Sequence, residues 1–267
     1  MPELVPLYEH LCELVGGGDA AARFLSLYRP TPFMTGCSQA AWIRRDESPT
    51  LVRNYDYAPH LYEGVNLFSA WNGSRCITMT DCFWGALDGL NEHGLAVALA
   101  FGGRRVVGDG FAIPLVLRYV LDTCATMDEA VATLSRVPSH MAYNVLVLDR
   151  DGRTAVVQVA PDHKAVILDE RICTNHQGDV DWPEHARLTR TLEREAYLRE
   201  TIDLPTETLD TFIARFLSPP LNQASTFRHW RTLYTAVYQP REGICTYLWP
   251  EVRRVQSLDG FISDAVP

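Results

Sequence analysis

Residues 34–57 constrain the fold more than any other stretch of this chain. Trp42-Ile43 and Thr50-Leu51-Val52 are apolar or β-branched, and Asp46-Glu47-Ser48-Pro49 between them is turn chemistry. The pattern predicts two short antiparallel strands around a polar turn. With the turn at 45–48, Arg44 faces Pro49 and Cys37 lies opposite Asp56. Directly opposed residues share a face, with Cβ atoms about 4.5–5.5 Å apart. A thiol and a carboxylate are thus expected on one face of a sheet, with Gly36 immediately before the thiol.

A cysteine becomes a stronger catalyst when the peptide bond before it is cut. Its own α-amino group, with an ordinary pKa of about 7.7–8.0, is then a general base beside the sulfur. Glycine upstream suits such a cut, because without a Cβ it tolerates the backbone geometry that self-cleavage demands. The residues leave a second reading open: a buried structural cysteine in an ordinary hairpin, with Asp56 closing a turn.

Gly36-Cys37-Ser38 followed by Arg53-Asn54-Tyr55-Asp56-Tyr57 resembles the N-terminal nucleophile (Ntn) hydrolases of the penicillin acyltransferase and choloylglycine hydrolase group. Leu90-Asn91-Glu92-His93-Gly94-Leu95 is similar to that group's Asn-Glu-x-Gly-Leu turn, and Cys173-Thr174-Asn175 to its Thr-Asn strand end. The resemblance implies Cys37 as nucleophile, autocleavage at Gly36–Cys37, and Arg53 and Asp56 positioning the thiol and its amine. It also implies that Asn175 donates to the oxyanion. Arg228, Tyr57 and Phe101 are the expected substrate contacts, Arg231 being an alternative to Arg228. Phe101 occupies the place where the bile-salt branch carries an oxyanion-binding asparagine, which a phenyl ring cannot replace as a donor. In a regular strand Arg53 points away from Asp56. Its entry into the site therefore predicts a bulge near Asn54, the alternative being an ion pair behind the sheet.

The remainder of the chain fits this frame. Leu4, Leu7, Leu11, Leu14 and Val15 fall at helical spacing before Gly16-Gly17-Gly18, and Asp19 can cap a second helix ending before Pro30. Residues 1–36 thus read as a helical hairpin at the edge of a domain or, as the resemblance implies, as a helical propeptide cut at Gly36–Cys37, a partner to the catalytic domain 37–267. Residues 75–80, 94–101, 140–148, 154–159, 164–168, 232–238 and 244–249 read as strands. Helices are expected at 112–123, 127–136, 183–201 and 206–217, the charges of 183–201 forming a solvated face. Residues 58–74 read as a loop, and 88–94 as a turn in which Asn91 is left-handed. Asn144 reads either as a buried, satisfied residue or as a neighbour of the site.

A formal charge of −9 argues against nucleic-acid binding and favours no anionic membrane surface. Seven cysteines without a C-x-x-C pair suggest reduced thiols and a cytoplasmic protein, with no zinc ribbon. No metal or other cofactor is required, and a homo-oligomer is compatible with the composition. Strands cluster at both ends with helices inserted and no βαβ repeat, so the class is α+β. The resemblance sharpens this to a four-layer αββα sandwich, two antiparallel sheets between helical layers. The expected activity is hydrolysis of a small-molecule N-acyl amide through a thioester. The alternatives are acyl transfer to an amine, and an uncleaved ligand-binding scaffold.

Overall fold

The computed structural model of the chain describes residues 1–223 and 230–263. Thirteen strands among these residues form two sheets. They are β1 (Gly36–Trp42), β2 (Thr50–Tyr57), β3 (Val65–Ser69), β4 (Cys76–Thr80), β5 (Asp88–Asn91), β6 (Leu95–Phe101) and β7 (Tyr143–Asp149). They continue as β8 (Thr154–Ala160), β9 (His163–Leu168), β10 (Ile172–Cys173), β11 (Arg231–Gln239), β12 (Ile244–Leu248) and β13 (Arg253–Ser257). The first sheet runs β10-β1-β2-β11-β12-β13 and the second β3-β4-β5-β6-β7-β8-β9, every pairing antiparallel.

Helices α1 (Val5–Leu14) and α2 (Gly18–Leu25) precede the sheets. The others are α3 (Ile113–Thr123), α4 (Met127–Arg136), α5 (Pro183–Thr189), α6 (Thr191–Thr201) and α7 (Leu209–Phe216). Helices α3 and α4 pack on the second sheet, α6 and α7 on the first, and β1 faces β6 and β7 across the middle. The result is the expected four-layer αββα sandwich. Thr126 caps α4 through the N–H of Glu129, as its position predicts. The charged helix breaks at Arg190, which is left-handed (φ 52°) between α5 and α6. Strands β3 and β5 lie in stretches whose residues read as loop or turn, and β13 in one that carries no strand pattern.

The hairpin forms one residue out of the expected register. Cys37 pairs with Tyr55, and Gly36 with Asp56. The N–H of Glu47 donates to the Arg44 carbonyl, and Asp46 is left-handed, so the turn sits one residue early. A one-residue slip reverses every side chain. Packing chooses this parity: Ala40, Trp42 and Val52 meet Leu198, Phe212 and Phe216 of α6 and α7, while Cys37, Ala41, Leu51 and Tyr55 turn into the core between the sheets. Each face then buries its own apolar set. Burying Trp42 alone contributes on the order of 3 kcal/mol relative to exposing it. No helix among the described residues is long and apolar enough to cross a membrane.

Candidate active site

The observed register rearranges the expected constellation. Arg53 lies on the same face as Cys37 with no bulge in β2. Its Nη2 reaches the Cys37 Sγ at 3.1 Å, and its Nη1 is ion-paired with Asp88 of the facing sheet. Neither the bulge near Asn54 nor an ion pair behind the sheet is found; the irregularity lies in β11, at Leu233. Asp88 also accepts from the hydroxyls of Tyr234 (2.6 Å) and Tyr238. A fully buried cation is thereby held against the thiol by a buried, fully hydrogen-bonded carboxylate, the condition under which such charges are tolerated.

Asp56 is not opposite Cys37 but on the reverse face, beside Gly36. A Cβ built on Gly36 would lie 3.1 Å from the Asp56 Cβ and 3.2 Å from its Oδ2. There the carboxylate meets Arg194, a fully buried residue of α6. The Arg194 Nη1 donates to Asp56 Oδ2 at 3.0 Å and Ser38 Oγ at 2.9 Å, and its Nη2 donates to Asn175 Oδ1 at 2.7 Å. Thr232 donates to the other carboxylate oxygen at 2.6 Å. Burial pushes the Asp56 carboxyl up, and the Arg194 guanidinium opposes it.

Asn175 joins the two faces. Its Oδ1 accepts the Cys37 N–H at 2.8 Å, and its Nδ2 donates to the carbonyls of Phe101 (3.1 Å) and Thr35 (3.4 Å). Two donors on one end and two carbonyls on the other fix the orientation of the amide. Its own N–H is held by Thr191 Oγ1 at 2.7 Å, and Asn144 donates to the flanking carbonyls of Thr174 and His176. His176 contacts Glu195 at 2.9 Å. Gly103 (φ 70°) passes so close that a Cβ there would meet the Asn175 carbonyl oxygen at 2.3 Å. The strand-end loop is thus clamped onto α6, and Asn144 is a neighbour of the site.

Cys37 is fully buried, and burial raises its thiol above the usual value while Arg53 pulls it back. Phe33, in the segment before β1, packs on rings of this region, its centroid 6.5 Å from that of Tyr57 and 6.3 Å from that of Tyr143. Beside Phe33 a cavity of about 350 Å³ is lined by Phe101, Met141, Trp182 and Arg105 among others. Tyr57 lies two residues beyond Tyr55, the partner of Cys37 in the hairpin, and Phe101 contributes a cavity wall and a carbonyl. Arg228 lies outside the described residues. Asn91 is a satisfied structural residue, bonding the carbonyls of Leu121 and Cys124; the left-handed position in its turn is Gly94 (φ 80°).

Sequence reasoning missed Arg194, Asp88 and Thr191. The signal for the α6 residues was a stripe at 191, 194, 198 and 201, all buried. A buried face built from Thr and Arg carries no hydrophobic periodicity, and so passes for a solvated one.

Two antiparallel sheets between helical layers, with a thiol near the start of a central strand, define the Ntn-hydrolase fold. Solved structures agree. A mutant of the conjugated bile acid hydrolase from Clostridium perfringens is 15% identical with a TM-score of 0.57, covering 86% of this chain and 96% of its own. Penicillin V acylase from Agrobacterium tumefaciens is 17% identical with a TM-score of 0.56, covering 82% and 84%. The Caenorhabditis elegans N-acylethanolamine-hydrolyzing acid amidase ortholog is 16% identical with a TM-score of 0.57, covering 84% and 97%. No curated protein sequence matches. Residues 42–254 match the family described as acyl-coenzyme A:6-aminopenicillanic acid acyl-transferase. The chain belongs to that family.

Proposed function

We propose that the chain is a self-processing N-terminal-cysteine amidohydrolase acting on linear C–N amide bonds. The observation that carries this reading is the convergence on residue 37: Arg53 Nη2 lies 3.1 Å from its sulfur and Asn175 Oδ1 lies 2.8 Å from its nitrogen. In the precursor the Cys37 sulfur attacks the Gly36 carbonyl carbon. The C–N bond breaks, a thioester forms, and the nitrogen takes the thiol proton to become a free amine. Water hydrolyses that ester and releases residues 1–36 with a C-terminal carboxylate.

Departure of the leader removes the Thr35 carbonyl from Asn175 Nδ2, leaving that N–H free for the oxyanion of a tetrahedral intermediate. The new amine is held by Asn175 Oδ1, which Arg194 ties to Asp56, and serves as base to the thiol. Arg53 stabilises the thiolate. Substrate acylates the sulfur, its amine leaves with a proton, and water regenerates the enzyme. The cavity beside Phe33 receives an apolar acyl group once the leader has gone. Family membership favours a second reading, in which an amine rather than water takes the acyl group.

Intact mass of purified protein tests the proposal. Wild type should resolve into residues 1–36 and 37–267, and Cys37→Ala should remain whole. Cleavage at the same bond in that variant would refute self-processing. Processed enzyme given N-acyl amides with and without a second amine then distinguishes hydrolysis from transfer by the product formed.

A further inference from the structure

Six carboxyls among the described residues are buried: Asp56, Asp81, Asp88, Asp122, Asp149 and Glu207. Four are matched by arginines: Asp56 by Arg194, Asp88 by Arg53, Asp122 by Arg118 and Glu207 by Arg215. Asp149 accepts the N–H groups of Asp151 and Arg153 at its turn. Asp81 has one N–H, that of Cys82 at 3.0 Å, and no basic side chain among the described residues forms an ion pair with it. Its charged neighbour is another acid, Glu63, and burial together with that acid raises its carboxyl to about 7. An unmatched buried carboxyl is costly and is expected where it has a use.

Its place is the site. Tyr55, paired with Cys37 across β1 and β2, has a fully buried hydroxyl without a hydrogen-bond partner among the described residues. The Asp81 carboxyl lies beside that hydroxyl, and both Asp81 and Cys37 disfavour its ionisation. The Tyr55 ring lies 5.9 Å from Tyr57 and 6.2 Å from Tyr62. A carboxylate, an unused hydroxyl and aromatic faces together are the chemistry that binds an ammonium group. Asp81 does not line the apolar cavity beside Phe33, so the two features divide the substrate into an apolar acyl side and an acidic amine side.

We propose that Asp81, Tyr55 and Tyr57 form the subsite for the amine half of the substrate, and that this half carries a second, positively charged amino group. The inference rests on the amidohydrolase reading and names its substrate class: N-acyl derivatives of diamines.

The test uses processed enzyme and a matched pair, the phenylacetyl amides of 1,4-diaminobutane and of pentylamine, at about pH 8. The readout is the ratio of their kcat/KM values, which a general loss of activity does not move. Wild type should favour the charged amide by about 10-fold or more. In Asp81→Asn the ratio should fall to near one. A wild-type ratio at or below one, or a preference that survives in Asp81→Asn, overturns the subsite. Turnover of neither amide tells against the amidohydrolase reading instead. Thermal stabilisation by butylammonium but not by 1-butanol, lost in Asp81→Asn, then supports the subsite, and equal shifts overturn it.

Discussion

Replacing Arg194 by methionine should be among the most damaging single changes outside the nucleophile. The guanidinium is fully buried and donates to three acceptors, Asp56 Oδ2, Ser38 Oγ and Asn175 Oδ1, at 2.7–3.0 Å. Methionine fills much of the volume but leaves the Asp56 carboxylate buried with Thr232 as its remaining side-chain donor among the described residues. Removing one member of a buried pair costs about 3–5 kcal/mol, most of it the penalty of the stranded charge. The measurement is urea unfolding at neutral pH in a Cys37→Ala background, so that every chain compared is intact. Adding Asp56→Asn should recover part of the loss, because a neutral amide is cheaper to bury than a carboxylate. The double variant should fall short of the summed single losses by about 1–3 kcal/mol. Arg194→Lys keeps the charge but not the planar fork, so it should lie between wild type and methionine. A loss below about 1 kcal/mol in Arg194→Met, or strict additivity in the double variant, would refute the pairing argument. In the Cys37 chain the same substitution should slow release of residues 1–36, since Arg194 orients both Asp56 and Asn175.

Two more outcomes follow from neighbouring groups. Asn175→Ala should lower turnover of any amide the processed enzyme accepts by about 10²–10³; an unchanged kcat would remove Asn175 from the oxyanion. Asp81, raised from 3.8 to about 7, binds its proton more tightly folded than unfolded. Its contribution to stability is therefore present below about pH 4 and lost as the pH rises through about 7, by up to about 4 kcal/mol. Asp81→Asn should accordingly stabilise the unprocessed chain at pH 8 and have little effect near pH 4, and a gain of equal size at both would contradict the burial argument.

The hairpin, the N-terminal helices, the strand-rich ends and the Thr-Asn strand end could all be read from residue pattern and motif. Each depends on local chemistry: turn formers at 46–49, a glycine triplet at 16–18, β-branched runs. The strand at 65–69 escaped because it is half exposed and lies among turn formers, and 88–91 because Asp88 and Gly89 resemble turn residues until Arg53 and the helix above them are in place.

What a linear reading could determine is which residues the fold would gather: a cysteine after a glycine, an arginine and an aspartate on the next strand, an asparagine far downstream. Which of them share a face was decided only by packing. A single residue of register separates a thiol beside a carboxylate from a thiol beside a guanidinium. That residue is settled by Trp42 and Val52 finding α6 and α7, more than a hundred positions away, because only one parity buries both faces of the strand at once.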